Sequence, residues 1–416
     1  MASATSAQTR SASGRITLGV AAAGTSSFAL LYAPQPVLAQ LAAEYRLDPA
    51  TASLAVSVAT GALALAVLPI ALLSETVGRH RTIVISLLAS LVTSMVQPLA
   101  PTYAVLLVLR AVQGAAIAGV AGVGAAYLVE RLGRSGVAVA VGAMIAGNTI
   151  GGMLGRLSVG FSADLLGWRG AFGVVAGVAA GCTALSLASL PRPTTEGRTP
   201  MSQRGEPASG PRRPHPRSHL LRALGTALRT PVLLLQYAVA FVGMGAFVAM
   251  YNTIGFRLIE QPFALSAAAV SLLFLCYALG AASSVTAGML VGRVGRRPAL
   301  AGALLTMAGG AALTLPDALA CVVAGFALLT VGFFAAHSVA NGWAAAAAPE
   351  RARGQVSGVY TTSYYLGSSV LGTAGSAVFA HGGWGWLISA VIVVVAGLGT
   401  VVAAVAVVAA RSSARP

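Results

Sequence analysis

The sequence predicts an all-α membrane protein whose twelve transmembrane helices form two related six-helix bundles. Hydrophobic residues make up 57% of the 416 residues and charged residues only 9%, whereas soluble domains carry roughly 25% charged residues. The mean hydropathy is +0.83. A helix needs about 20 apolar residues to cross a bilayer, so twelve such stretches with short loops use most of the chain. A repeat of about half the chain length predicts the division into two bundles.

The predicted spans are numbered 1 to 12 in chain order. They cover residues 16–42, 51–74, 83–100, 103–128, 137–161, 169–190, 232–255, 266–290, 299–316, 318–345, 355–380 and 385–409. They divide the chain into an N-terminal tail, an N-terminal bundle, a central loop, a C-terminal bundle and a C-terminal tail: 1–15, 16–190, 191–231, 232–409 and 410–416. The central loop is rich in Pro, Arg, Ser and Gly, a composition that predicts disorder over most of its length.

The basic residues are distributed as in a membrane protein and not as in a protein that binds nucleic acid. All 26 are Arg, and the net charge is +16. They cluster in loops between apolar segments, and no soluble domain remains to present a basic surface. If both termini are cytoplasmic, 21 arginines lie in cytoplasmic tails and loops and three, Arg46, Arg169 and Arg257, lie in the opposite loops. This asymmetry predicts that orientation, because arginine-rich loops stay in the cytoplasm.

Two arginine-rich loops about half the chain apart belong to an internal repeat. The first reads ALLSETVGRHR and ends at Arg81, and the second reads GMLVGRVGRR and ends at Arg297. Aligning Gly78 on Gly295 gives an offset of 217 residues. At an offset of 220, further residues match, namely Glu130, Arg131, Gly147, Gly152 and Gly155 with Glu350, Arg351, Gly367, Gly372 and Gly375. Two halves repeated in this way are typical of transporter folds that bind a solute between the halves.

The loop between spans 2 and 3 resembles the signature loop of the major facilitator superfamily, whose pattern is roughly G-x-L-a-D-R-x-G-R-R/K-R/K. Here Glu75 stands for the acid, Gly78 and Arg79 match, and Arg81 closes the loop, while Ala71 replaces the leading Gly. Glycine permits the tight turn, and the arginines hold the loop at anionic lipid. The resemblance implies that these residues latch the cytoplasmic side.

The second copy of this loop keeps Gly295, Arg296 and Arg297, which we also expect to gate, but has Gly292 where the acid would stand. We therefore expect the stronger latch in the N-terminal half. The resemblance extends over about residues 16 to 409 and is strongest to the twelve-helix drug:proton antiporter branch of the family. It implies a fold in which substrate binds near the membrane midplane, between the two bundles.

Arg110, Gln113 and Gly114 in span 4 resemble the R-x-x-Q-G motif of these antiporters. A charge in mid-membrane costs at least ~2.5 kcal/mol, so Arg110 needs a polar cavity or partner. The resemblance implies that Arg110 takes part in proton transfer, and a structural arginine bonded to carbonyl oxygens remains an equal alternative. Because no Asp or Glu lies in the middle of a span, Asp164 near the end of span 5 is the best acid for proton coupling.

Span 5 contains a glycine motif that resembles the G-P-x-x-G-G motif of antiporters, with Asn148 in place of Pro. Its glycines are Gly147, Gly151, Gly152 and Gly155. Three of them lie four residues apart on one helix face, where another backbone can approach closely. The adjacent Arg156 needs a partner in the membrane, so it is a candidate contact for an anionic or polar-headed substrate, and a packing role is equally open.

Other polar residues inside the spans are candidates to line a substrate cavity. Together with Arg156 they are Gln35, Gln113, Asn148, Asn252, His337 and Asn341. Gln35 stands between two prolines in span 1, and Asn252 occupies span 7, the equivalent span of the second half. The segments 32–36 and 251–257 are similar to those of a bacterial subgroup of drug or sugar efflux permeases. Span prolines free carbonyl oxygens for solutes.

The resemblance implies a secondary active transporter that exports small amphipathic or drug-like molecules in exchange for protons. A facilitator or symporter for a sugar or organic acid remains the alternative. The chain contains no H-E-x-x-H, G-x-S-x-G or Walker-type motif, so we expect neither an enzyme nor ATP-driven transport. We expect no metal, cofactor or nucleic acid. The expected partners are the substrate, protons and the lipid bilayer, for a monomer in a bacterial inner membrane with both termini cytoplasmic.

Overall fold

The structure, a computed structural model, describes residues 2–191, 225 and 227–413. Helices and short 3-10 turns account for nearly all of these residues, and the described part of the chain contains no strand. The disorder predicted for the central loop falls on residues 192–224, which lie outside the described part. The prediction of an all-α membrane protein is confirmed.

Helices lie along each of the twelve predicted spans, although several of their ends differ from the predicted ones by a few residues. Their bounds are Ala2–Leu31, Leu38–Tyr45, Pro49–Val77, Arg79–Val96, Tyr103–Ser189, Pro231–Ile259, Ala267–Ser271, Cys276–Val294, Arg296–Leu313, Leu319–Ala347 and Arg353–Ser413. Within the described residues, nine stretches are long and apolar enough to cross a membrane. Two of these, Gly136–Ser189 and Arg353–Ala404, have 54 and 52 residues, and each is long enough for two crossings of about 20 residues.

Spans 5 and 6 lie in one helical stretch, yet they run in opposite directions beside span 1. Residues 147, 151 and 155 of span 5 pack on residues 21, 25 and 29 in the same order. Span 6 runs the other way, because Ser26 donates to the Ala179 carbonyl at 3.1 Å and Arg15 donates to the Ala188 carbonyl at 3.2 Å. The chain reverses at Gly167, whose φ of 62° favours glycine.

The helix predicted for span 1 is interrupted, which corrects the expectation of one helix over residues 16–42. It begins at Ala2, ends at Leu31 and resumes at Leu38. In a continuous helix the Leu30 carbonyl would accept the N–H of residue 34, but that residue is Pro34 and has none. The N–H of Gln35 instead donates to the Tyr32 carbonyl at 3.1 Å. The break leaves the carbonyls of Leu30 and Leu31 available to a side chain.

The internal repeat appears in the packing of the helices. A Cβ added to Gly147 would meet the Ala21 carbonyl oxygen at 2.3 Å, and one added to Gly367 would meet that of Phe241 at 2.0 Å. Both residues of the second pair lie 220 positions after those of the first. Span 5 therefore packs on span 1 as span 11 packs on span 7, which bears out two halves of like construction.

The two ends of the bundle differ in their loops. One, called the Asp48 end, contains Asp48, whose carboxylate accepts the N–H groups of Ala50 and Thr51 at the start of span 2. Hydrogen bonds from Thr51 and from backbone N–H groups lower the pKa of Asp48. The other, called the Gly78 end, carries the tight turns at Gly78 and Gly295, with φ of 96° and 85°.

Candidate functional site

Arg156 lies between the two halves and is 2% exposed. Span 5 carries it, and three neutral groups accept its hydrogen bonds: the side-chain oxygen of Gln35 at 2.5 Å, the Gly152 carbonyl at 2.7 Å and the Tyr277 hydroxyl at 3.1 Å. Gln35 belongs to the N-terminal half and Tyr277 to the C-terminal half. The guanidinium therefore joins the halves near mid-span, where the sequence predicts a substrate site.

A chain of side-chain amides continues from Arg156 across the boundary between the halves. The Gln35 amide nitrogen donates to the Asn252 side-chain oxygen at 2.8 Å. Arginine can only donate hydrogen bonds, so it fixes the Gln35 oxygen towards itself and the Gln35 nitrogen towards Asn252. The Asn252 side-chain nitrogen is left as a buried donor without a partner.

Aromatic rings surround the Arg156 guanidinium. Its central carbon lies 4.4 Å from the centroid of Tyr32, 4.7 Å from that of Tyr277 and 5.0 Å from that of Phe274. The negative faces of these rings attract the cation. From Tyr277 the ring contacts extend through Phe247 to Phe333, with centroids 5.5 Å and 4.1 Å apart. The site thus combines one cation with an extended aromatic surface.

Arg110 is fully buried inside the N-terminal half, away from this boundary. It donates to the carbonyls of Ala55 at 2.6 Å and Leu30 at 2.9 Å, and also to Leu31 and to the Gln113 side-chain oxygen. Gln113 receives a second bond from Gln97 at 2.9 Å. Arg110 thus supplies donors to the carbonyls freed by the break in span 1, and it links spans 1, 2 and 4.

The glycine motif positions Arg156 by holding span 5 close to span 1. A Cβ on Gly151 would lie 2.2 Å from the Thr25 carbonyl oxygen, and one on Gly155 would lie 2.3 Å from that of Ala29. Atoms cannot approach this closely, so side chains larger than hydrogen are excluded. Gly152 faces away from this seam, and its carbonyl binds Arg156. Asn148 lies against Gly24 of span 1.

Asp164 joins span 5 to span 8 at the Asp48 end. Its two carboxylate oxygens accept the N–H groups of Ala267 at 3.1 Å and Ala268 at 3.0 Å. These are the first N–H groups of the helix Ala267–Ser271, where a negative charge is favourable. One turn earlier, a Cβ on Gly160 would lie 2.2 Å from the Cβ of Ser271. The halves are therefore in close contact at this end.

Arg79 is the residue of the first signature loop with clear structural partners. It donates to the Ala126 carbonyl at 2.9 Å and to the Glu130 carboxylate at 3.2 Å. It thus ties the start of span 3 to the end of span 4 within the N-terminal half. Glu75 and Arg81 are exposed, as is Arg296 in the second loop, whereas Arg297 is half-buried.

Comparison with known proteins identifies the family. The sequence profile described as Major Facilitator Superfamily matches residues 18–372 and 246–416. The chain belongs to this superfamily. It is 38% identical over 370 residues to "Inner membrane transport protein YnfM" of Escherichia coli (strain K12), covering 89% of this chain and 85% of that protein. It is 33% identical to "Uncharacterized MFS-type transporter YybF" of Bacillus subtilis (strain 168), covering 90% and 88%.

Solved structures show the same superfamily fold. A bacterial homologue of the human lysosomal transporter Spinster, in an inward-facing and unoccupied conformation, superimposes with a TM-score of 0.75. It covers 94% of this chain and 97% of its own at 15% identity. The chain is therefore a multi-pass membrane transporter of the major facilitator fold, and the prediction that it is not an enzyme is confirmed.

The predicted cavity residues of this superfamily member fall into separate places. Gln35, Arg156 and Asn252 form one hydrogen-bonded chain between the halves. His337 lies along the aromatic surface, 6.1 Å from Phe333 between ring centroids, and its ring nitrogen is 3.0 Å from the Tyr360 hydroxyl. Asn341 lies one turn further towards the Gly78 end and is exposed. Gln113 instead contacts Arg110.

The prediction from sequence missed the aromatic partners of Arg156. Phe274 and Tyr277 are three residues apart in span 8, so they share one helix face. Phe333 and His337, four residues apart in span 10, do so as well. This spacing was the available signal. It does not reveal which helix the face meets, because Tyr277 and Arg156 are 121 residues apart in the chain.

Proposed function

We propose that this transporter exports small amphipathic or drug-like molecules in exchange for protons, by alternating access. The observation that carries the proposal is the polar contact between halves at mid-span. The Gln35–Asn252 and Arg156–Tyr277 hydrogen bonds join neutral or singly charged groups that can exchange partners. A substrate bound there would contact both halves at once, so its affinity would depend on the relative position of the halves.

The orientation rests on the arginine distribution, which favours the Gly78 end as the cytoplasmic one. The Asp48 end would then be external, and both termini would be cytoplasmic. Spans 5 and 8 contact each other at the Asp48 end, while Asn341 is exposed towards the Gly78 end. Close contact at the external end is the arrangement from which an exporter can open its site to the cytoplasm and load its substrate.

Proton coupling is supported by two residues of different character. Arg110 and Gln113 match the antiporter motif, and they lie on carbonyls at the break in span 1, an element that contributes Gln35 to the site. Asp164 joins the halves at the Asp48 end through two helix N–H groups, which favour a negatively charged acceptor. Loss of that charge would weaken those contacts and favour the outward-open state. Asp164 would thus control closure of the external end, and Arg110 would contribute to proton coupling nearer the substrate site.

The relative from Escherichia coli is named an inner membrane protein, and its similarity over most of both chains supports the same location here. One chain supplies both walls of the candidate site, Arg156 from one half and Tyr277 from the other. We therefore expect the monomer to be the functional unit.

Transport in inverted membrane vesicles tests the proposal. A growth screen of an overexpressing strain first selects compounds to which the protein confers resistance. Vesicles acidified inside should then accumulate a selected compound, and an uncoupler should collapse the gradient. Vesicles from cells with an empty vector provide the control. Depletion of the compound from acidified vesicles would instead support a symporter, and no response to the uncoupler would support a facilitator.

A further inference from the structure

The charge of Arg156 has no counter-ion in the part of the chain that the structure describes. Among the described residues, three arginines form ion pairs with carboxylates: Arg79, Arg169 and Arg257. Arg156 is more deeply buried than Arg79 or Arg169, yet its three hydrogen-bond acceptors are all neutral. A buried charge without an opposite charge is costly. An anionic ligand would therefore gain more from this site than a neutral one.

The site also offers hydrogen-bond donors that no protein group uses. A guanidinium has five N–H groups, of which the three protein contacts use three. The Asn252 side-chain nitrogen has no partner, although this residue is only 1% exposed. A buried donor without an acceptor is unfavourable. Several unused donors near one cation favour a ligand rich in acceptor oxygens.

The remainder of the site is mostly aromatic. The rings of Tyr32, Phe274 and Tyr277 lie against the guanidinium, and Phe247 and Phe333 continue the surface within the C-terminal half. Aromatic faces of this kind stack on planar organic groups. Arg110 does not present such a site, because carbonyls and Gln113 already occupy it inside the N-terminal half.

We propose that the transported molecules are organic anions: a carboxylate that binds Arg156, attached to an aromatic body that packs on the rings of spans 7, 8 and 10. This inference rests on the proposed function and names the substrate class of the same site. The planar carboxylate suits the guanidinium because two oxygens can face two N–H groups. The ligand supplies the missing negative charge only while it is bound between the halves.

Three naphthalene compounds of similar size and different charge test the substrate class. The purified full-length protein is titrated with 2-naphthoate, 2-naphthalenemethanol and 2-naphthylmethylamine, and binding is followed by calorimetry. We expect naphthoate to bind at least about tenfold more tightly than the alcohol, the factor for one charge-assisted hydrogen bond, and the amine to bind least. Equal binding of acid and alcohol, or no binding of naphthoate, would overturn the proposal.

Two variants locate the binding. Arg156→Gln should lower the naphthoate affinity at least about tenfold. Asn252→Asp places a carboxylate one amide away from Arg156, so it should also abolish the preference for the acid while keeping a stable fold. If Arg156→Gln does not fold, the naphthoate affinity of Asn252→Asp alone tests the assignment. Unchanged naphthoate binding by a folded variant would contradict the assignment.

Counterflow in proteoliposomes separates this inference from the proposed function. If naphthoate binds through Arg156 but is not transported, the anion site is supported and the proposed transport function is contradicted. If the amine is exported in a proton-driven manner and naphthoate is neither bound nor transported, the proposed exporter function is supported and the anionic substrate class is contradicted. Proton-dependent movement of naphthoate that Asn252→Asp abolishes would support both.

Discussion

At the scale of single residues, a substitution of Arg110 best separates a structural role from a role in proton coupling. Arg110→Ala would leave the carbonyls of Leu30, Leu31 and Ala55 without their donor, at about 1–3 kcal/mol for each buried acceptor. We expect a lower thermal unfolding temperature in detergent and loss of proton-dependent export, with membrane insertion retained. Arg79→Ala, which removes a half-exposed ion pair worth about 0–1 kcal/mol, serves as the stability control.

Substrate counterflow, which needs no proton gradient, completes the Arg110 experiment. Counterflow by Arg110→Ala in the absence of proton-driven export would assign the residue to coupling. Loss of both would show that the links between spans 1, 2 and 4 are required for any transport. Normal proton-driven export by this variant would remove Arg110 from the mechanism.

Sequence reasoning indicated that Arg110 and Arg156 would need a polar environment, but it did not identify their partners. Arg110 and Arg156 are charges inside apolar spans, so the cost of an unpaired charge alone required a polar environment. Their different surroundings could not be predicted. The carbonyls of Leu30 and Leu31 become available to Arg110 only because span 1 breaks before Pro34, and two of the three rings around Arg156 come from span 8 of the other half. Both depend on how helices far apart in the chain meet.

At the scale of helices, the glycine face of span 5 sets the distance to span 1. Gly151→Ala would place a Cβ 2.2 Å from the Thr25 carbonyl oxygen. We expect the two spans to separate, with a loss of about 1–3 kcal/mol of stability and reduced transport, as overpacking usually costs. Gly142→Ala is the matched control in the same span, because a Cβ there meets no atom within 4 Å. Thermal unfolding and vesicle transport measure both variants, and equal behaviour would contradict the tight seam.

The spacing of four residues predicted that Gly147, Gly151 and Gly155 share a face, which the seam confirms. The sequence could not predict which helix they meet. In the second half, Gly245 of span 7 faces Leu371 of span 11, and these are the positions equivalent to Thr25 and Gly151. The small residue has moved to the other helix of the pair. A search for glycines in one span alone therefore finds only part of this packing.

At the scale of the whole molecule, composition and the repeat were sufficient to predict the fold, because a bilayer allows few ways to satisfy backbone polar groups. The relative position of the halves was not predictable. Spans 2 and 11 each contain several Ser and Thr residues, so their sequences do not indicate that Ser57 and Thr373 would be the ones to join them, with 2.7 Å between hydroxyl oxygens. A transporter has more than one such arrangement, and one sequence encodes all of them.

The contact of Asp164 with span 8 offers a measurement of that equilibrium. Asp164→Ala removes a carboxylate that joins the halves at the Asp48 end, whereas Asp48→Ala removes a similar helix cap within one half. Each variant loses a contact with helix N–H groups, typically ~1 kcal/mol for a cap. Spin labels at the exposed Arg46 and Gln261, in a protein without its three cysteines, report the separation of the halves at this end.

We expect Asp164→Ala to increase the population with the longer distance, because the lost contact exists only when the Asp48 end is closed. A loss of about 1 kcal/mol from one of two states changes their population ratio about fivefold. Double electron–electron resonance spectroscopy can resolve such a change. Asp48→Ala should lower stability without changing the distance distribution, because its contact is present in both states. Asp164→Asn should fall between, since its amide oxygen can accept one N–H group but carries no charge. The same distribution in all three variants would mean that Asp164 does not hold the halves together.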